Sequence, residues 1–222
     1  MNKDWFRNAS WDDTIEAAFF KKLARARDKQ QYLKIQAGHL ASAHPAVALR
    51  LLEQYFSMGD NLFFADAWRT KAEAHIALGE VEKAVAAFEA ALAREASFGK
   101  VFTNAWLDYA SFIAAKGIRD LYDRALELVD GTQRGGLVFP AETYGRNAVR
   151  AIIYTERGSM EKARKAALLA LTAADQTHSG IARHPTVGLV DVNDSLKARV
   201  EEIAGSARKS LASSLKGWLG RA

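Results

Sequence analysis

An all-α fold built from stacked helical hairpins is what this 222-residue chain predicts, and three observations carry the prediction. The series Trp68, Ala72, His75, Gly79, Ala84, Phe88, Ala91 steps by four, three, four, five, four and three residues, and Asn147, Ala151, Tyr154, Gly158, Ala163, Ala167, Ala170 repeats every step. Steps of three and four trace one face of a helix, and the five-residue step after a glycine marks the turn into a second helix. The chain is also 49% hydrophobic with only three prolines, enough for a sizeable core and poor in the turn residues that an all-β fold needs. Helical periodicity is the only regular pattern along its length.

Each element follows in order. Ser10, with Asp13 three residues on, reads as a helix start, and Ile15, Phe19, Leu23 and Ala26 line one face to about Asp28. Lys21, Lys22, Arg25, Arg27 and Lys29 lie opposite, which suits a solvated amino-terminal cap over residues 1–28 or, alternatively, a contact for an anionic partner. Tyr32, Gln36, His39, Ala43, Ala48, Leu52 and Tyr55 keep all six steps, with Gln36 where a small residue is expected, Ala43 in place of the glycine, and Pro45 opening the second helix. In the clearest copy, Gly79 follows the first helix and a second runs from about Val81 to Glu95. Trp106, Ala110, Ile113 and Gly117 form a third first-helix, with Leu121, Ala125 and Leu126 on a shortened second one. The last copy turns at Gly158 and continues from Met160 to about Ala174. Glycine at both turns fits a left-handed backbone, and the alanines fit close helix crossings.

Between Gln176 and Asn193 the pattern breaks in "QTHSGIARHPTVGLVDVN". Residues 176–193 thus read as an irregular linker. Asn193 or Asp194 then caps a helix over 194–222, with Leu196, Val200, Ile203, Ala207, Leu211, Leu215 and Trp218 on one stripe and Lys197, Arg199, Arg208, Lys209 and Lys216 on the other face. Gly205 and Gly217 weaken it as a free-standing helix, so it reads as packed on the preceding hairpins.

The stretch "AWRTKAEAHIALGEVEKAVAAFEAALARE" resembles the tetratricopeptide repeat family, whose unit is a 34-residue helix, turn and helix, and Tyr144 to Thr177 is a second copy. The closing proline of such units is replaced by Ala96 and Gln176, and the spacing between copies drifts upward, as in a degenerate, bacterial-type array. The resemblance covers about two thirds of the chain. It implies a right-handed superhelical stack over residues 1–175, an α-solenoid with terminal capping helices. It also implies a concave groove lined by the first helix of each hairpin: Gln30, Leu33, Ala37 and Leu40; Asp66, Arg69, Glu73 and Ile76; Asn104, Leu107, Ser111 and Ala114; Gly145, Ala148, Ile152 and Thr155. Arg69 and Asn104 are its best polar anchors, without the lysine set of a carboxylate clamp.

Charge and composition narrow the function. Cations exceed anions by three over residues 1–34 and by four over 205–222, while residues 35–204 carry two more anions than cations. A nearly neutral repeat region is a poor nucleic-acid surface. With no cysteine, thiolate metal sites and cysteine nucleophiles are excluded. The start "MNKDWFRNASWDD" has no secretory pattern and no apolar run approaches 18 residues, so a cytoplasmic protein, not an integral membrane one, is expected. His39 and His75 fall on packed faces, His178 and His184 match no metal spacing, and "GTQRGG" at 131–136 lacks the residues that hold phosphates. Ser111, Ser179 and Ser195 lie in no nucleophile elbow. The expected function is a non-enzymatic adaptor, with no cofactor or metal, that binds a peptide or protein segment in its groove. The alternative is a regulatory or inhibitory protein that uses Arg208, Lys209 and Lys216 of the terminal helix against a partner, nucleic acid, an anionic membrane surface or a second copy.

Overall fold

The computed structural model describes residues 4–99, 101–131, 138–191 and 194–205. Every regular element among them is helical: α1 (Asp13–Ala24), α2 (Lys29–Leu40), α3 (Pro45–Ser57), α4 (Phe64–Ala77), α5 (Val81–Phe98), α6 (Ala105–Lys116), a 3-10 turn (Arg119–Leu121), α7 (Tyr122–Gly131), α8 (Pro140–Glu156) and α9 (Met160–Ala174). Residues 197–205 form α10. The chain divides into two compact units, Met1–Ala105 and Trp106–Ala222, a division that falls inside the span 1–175 read as one array.

In the first unit α2 packs along α3 and α4 along α5, with α3 against α4. Asp12 caps α1 by accepting a hydrogen bond from the Ile15 amide at 2.8 Å, so the helix starts two residues after the expected Ser10. It ends at Ala24 because Asp28 caps the next helix through the Gln31 amide. Pro45 opens α3 as expected. The residues on the spaced series of α4–α5 are buried: Ala72, His75, Ala84, Phe88 and Ala91, with Trp68 partly covered. In the first hairpin His39 is exposed, contrary to the packed position expected, and Leu33, Ala37 and Leu40 carry the core instead.

Gln36, where the repeat expects a small residue, is fully buried. Its Oε1 accepts from the Asn8 amide at 3.0 Å and from Asn8 Nδ2 at 2.8 Å, and its Nε2 donates to the Asn8 carbonyl at 2.8 Å. The amino-terminal segment is thereby laid across α1 and α2, with Trp5 and Phe6 against Tyr32 and Trp5 also against Phe19. The large side chain occupies space that a neighbouring helix would otherwise take.

In the second unit α8 packs along α9, with α7 beside α8. Leu107 of α6 lies where a Cβ on Gly145 of α8 would come within 3.0 Å of it, so the glycine permits that crossing. Ala125 is buried as expected on α7, but Leu128 and Val129 rather than Leu126 complete its packed face. The stretch 176–191 is irregular but tethered: Ser179 Oγ donates to the His184 carbonyl, and the Ala141 amide at the start of α8 donates to the Gly188 carbonyl at 2.9 Å. Tyr144 donates to Asp194 Oδ1 at 2.8 Å, and the same oxygen accepts from the Leu196 amide ahead of α10. Burial and the charge of Asp194 push the Tyr144 hydroxyl well above its ordinary range. Leu196, Val200 and Ile203 are buried, so the described part of the terminal helix packs as expected. Arg208, Lys209, Lys216 and the segment 132–136 lie outside the described residues.

Three turns share one construction. Gly79, Gly117 and Gly158 have φ of 73°, 67° and 73°. In each, the residue after the glycine donates its amide to the carbonyl five residues back: Glu80 to His75 (2.9 Å), Ile118 to Ile113 (3.1 Å) and Ser159 to Tyr154 (2.8 Å). A Cβ on Gly79 would meet nothing within 4 Å, so the requirement is conformational and not one of space.

Gly79→Val should therefore destabilise the protein by about 1 to 2 kcal/mol in urea melts, whereas Ser159→Ala, whose side chain makes no capping bond, should shift stability by less than about 0.5 kcal/mol. Equal effects would contradict the left-handed turn. Ala84 is fully buried and Phe88 is 2% exposed. Ala84→Leu should accordingly cost about 1 to 3 kcal/mol by overpacking and Phe88→Ala about 3 to 5 by leaving a cavity, read from thermal or urea unfolding.

Candidate functional site

The face of α4 expected to bind carries Asp66, Arg69, Glu73 and Ile76. The Asp66 carboxylate is held by Lys34 of α2 and by Arg69 Nε at 3.1 Å, so the best cation of the expected groove is engaged within the fold. Burial alone would raise the Asp66 carboxyl, but the hydrogen bond and charge of Lys34, with Arg69, outweigh it and hold it below the ordinary value. Glu73 and Asn104 are exposed and Ile76 is half-buried.

The other expected groove residues divide by burial. Ile152 is fully buried, as are Leu33, Ala37, Leu40, Ala114, Gly145 and Ala148, because the close helix crossings that shape the hairpins consume these faces. They offer no surface to a ligand. Leu107, Ser111 and Thr155 are half-buried, and Thr155 Oγ1 donates to the Ala151 carbonyl in its own helix. The expected groove set falls partly in the first unit, at 30–104, and partly in the second, at 107–155.

The opposite face of α4 opens onto a cleft of about 580 Å³ in the first unit. Trp68, Lys71, His75 and Leu78 line it, each two residues beyond a member of the expected set and hence about 200° around the helix. Ala46, Leu49 and Glu53 of α3 form one wall, and Lys83, Ala86, Ala87 and Ala90 of α5 the other. Ala46, Leu49 and Glu53 step by three and four, and Lys83, Ala87 and Ala90 by four and three with Ala86 beside them, the spacing of a single helix face.

Local sequence explains each polar group. Trp68 stacks on Phe56 of α3, centroids 4.5 Å apart, and the Lys71 ammonium sits 4.8 Å from the Trp68 ring and 5.8 Å from Phe56. The turn at Gly79 folds residue 80 back over residue 75, so the backbone bond that closes the hairpin also brings their side chains together. His75 Nδ1 lies 2.7 Å from Glu80 Oε2, and Lys83 Nζ donates to Glu80 Oε1 at 2.7 Å. The Lys83 bond, then the His75 bond, keep the Glu80 carboxyl below its usual range. With Nδ1 held by a carboxylate, the ring is fixed in orientation and only Nε2 is left for another group.

An oriented imidazole is one component of acid–base chemistry, but no serine, threonine or cysteine lines this cleft to act as a nucleophile. Among the described residues no group of three or more His, Asp or Glu is placed to hold a metal ion. No described helix is long and apolar enough to cross a membrane. Periodicity assigned Trp68 and His75 to packed positions and passed over Lys71. The signal was present, since Trp68, Lys71, His75 and Leu78 are themselves one helical stripe with an exposed leucine at its end. The chain matches no family model, no curated protein and no solved structure.

Asp66→Asn should cost about 1 to 2 kcal/mol near neutral pH, through loss of the Lys34 and Arg69 contacts. A carboxyl lowered in the folded state contributes stability above its ordinary value of 3.8 that is lost as the pH falls through the folded value. Urea midpoints of wild type and variant should therefore differ at about pH 7, and the gap should narrow steadily as the pH falls below 3.8, where a constant gap would exclude the ion pair as its source.

Proposed function

We propose that this chain is a cytoplasmic, non-enzymatic binding module of tetratricopeptide kind, which holds a segment of another protein against its helical hairpins. The observation that carries this reading is the cleft across α3, α4 and α5, where three parallel stripes of helix face enclose a trough rich in alanine. Trp68 and the 44%-exposed Leu78 supply apolar anchors, and charged groups stand at the walls, the arrangement of a recognition surface for a protein segment. The receiving surface is placed on the Trp68 face of α4 and not on the Arg69 face. Burial of Leu196, Val200 and Ile203 supports the start of the terminal helix as a cap on its own unit.

Three variants of the full-length protein separate the surfaces when used as bait in affinity capture. Leu78→Asp should reduce capture of a specific partner at least about tenfold while the melting temperature holds. The pair Arg69→Ala and Asn104→Ala, and neutralisation of Arg208, Lys209 and Lys216 together, should each change it less than about threefold, with any effect of the basic residues fading in salt. If the basic substitutions alone abolish capture, the regulatory reading through the terminal segment replaces this one.

A further inference from the structure

The trough has the dimensions and chemistry of a vacancy for one more helix. Trp68 of α4 and Leu78, the residue that caps its carboxyl end, stand ten residues apart, about 15 Å along the axis and about three turns. Facing walls of Ala46 on α3 and Ala86, Ala87 and Ala90 on α5 keep the helix backbones uncovered, which permits the 8–10 Å approach of ridge-into-groove packing. An extended segment would draw no benefit from them, since it binds best along the free edge of a sheet, and the regular elements described are all helices.

Two charges in the trough select the occupant. Lys71 makes no ion pair with any described residue: its ammonium rests on the faces of Trp68 and Phe56, which hold the cation in place while leaving its three N–H donors without a carboxylate. One turn along the same stripe, Nε2 of His75 takes no hydrogen bond from the described residues, its other nitrogen being occupied by Glu80. The exposed Glu53 of α3, one turn from Phe56 on the same helix, has no cationic partner among the described residues. Lys83 is different, because it is already bound to Glu80. A preoriented cation on α4 and an unmatched carboxylate on α3 define a charge pattern for whatever lies in the trough.

We propose that the cleft across α3, α4 and α5 receives an amphipathic helix of a partner protein, about three turns long, whose acidic side chain meets Lys71 and whose basic side chain meets Glu53. Its apolar stripe packs on Trp68, Leu49 and Leu78. The chain's own terminus does not fit this pattern, because residues 205–222 carry four cations and no anion. The inference rests on the binding-module reading and adds the identity of the occupant.

The test is selection of displayed helical peptides of about four turns, randomised on one face, against the full-length protein, followed by fluorescence anisotropy with the enriched peptides. Enrichment of Asp or Glu at one position and of Lys or Arg at a second, both beside an apolar stripe, is the result expected. Lys71→Met, which keeps an apolar stem over Trp68, should weaken these peptides at least about fivefold without lowering the melting temperature. Lys71→Glu should be rescued by a peptide whose acidic position is changed to lysine. Ala86→Trp, at an exposed position of α5, should weaken all of them at least about tenfold by filling the trough. Peptides that bind wild type, Lys71→Met and Ala86→Trp alike would overturn the occupant and leave the module reading standing. An absence of any enriched peptide would overturn both. Self-association in sedimentation that Ala86→Trp abolishes would replace the partner helix with a second copy of this chain.

Discussion

The glycine-centred turn is the constraint on which the rest depends. A left-handed residue at Gly79, Gly117 or Gly158 reverses the chain within two residues and satisfies a carbonyl at the end of the preceding helix, so the following segment must return directly alongside. With so short a connection, helices can sit together only if their facing residues are small. That is why Ala72, Ala84 and Ala91 in one hairpin and Ala151, Ala163 and Ala170 in another are all fully buried. The α4–α5 turn also determines chemistry, because it places Glu80 where it can orient His75 and engage Lys83 at once. A looser connection would leave the imidazole buried without its carboxylate.

Much of the helical layout was legible because it is local. The spacing of Gly79 and Gly158 from their neighbours located both turns, and α9 runs over the Met160–Ala174 span read from it. The site was less legible. Periodicity sorts residues by helix face but does not say which of several neighbours covers that face, and α4 touches α2, α3 and α5. Asp66 and Arg69 looked like polar anchors for a ligand. Lys34, 32 residues before Asp66 and on another helix, engages the same carboxylate that Arg69 holds. Ile152 and Ala148 were assigned to a groove by the resemblance, yet the helix crossings of the second unit enclose them. Trp68 was read as core when half of its role is to form the floor beneath Lys71.

Gln36 shows how a departure from a repeat pattern can be a substitution of one partner for another. A buried amide without partners would be costly, but this one accepts two hydrogen bonds from Asn8 at its oxygen and donates one to the Asn8 carbonyl from its nitrogen. The apolar contacts of Trp5 and Phe6 then cover the face that a preceding hairpin would have covered. No periodicity announces such a contact, since it joins a non-helical segment to a helix 28 positions away.

The start of α8 draws on residues made long after it. Its first turn gives the Ala141 amide to Gly188, and its Tyr144 hydroxyl to Asp194, a reach of 50 positions. During synthesis, α8 and α9 are complete as a hairpin while both acceptors are still unmade. Until they are made, the first turn of α8 has its local bonds, the Glu142 and Thr143 amides to the Phe139 carbonyl, but lacks the two that residues 188 and 194 supply. The early end of this helix is thus completed by a late part of the chain, and these two contacts cannot form until translation has passed Asp194.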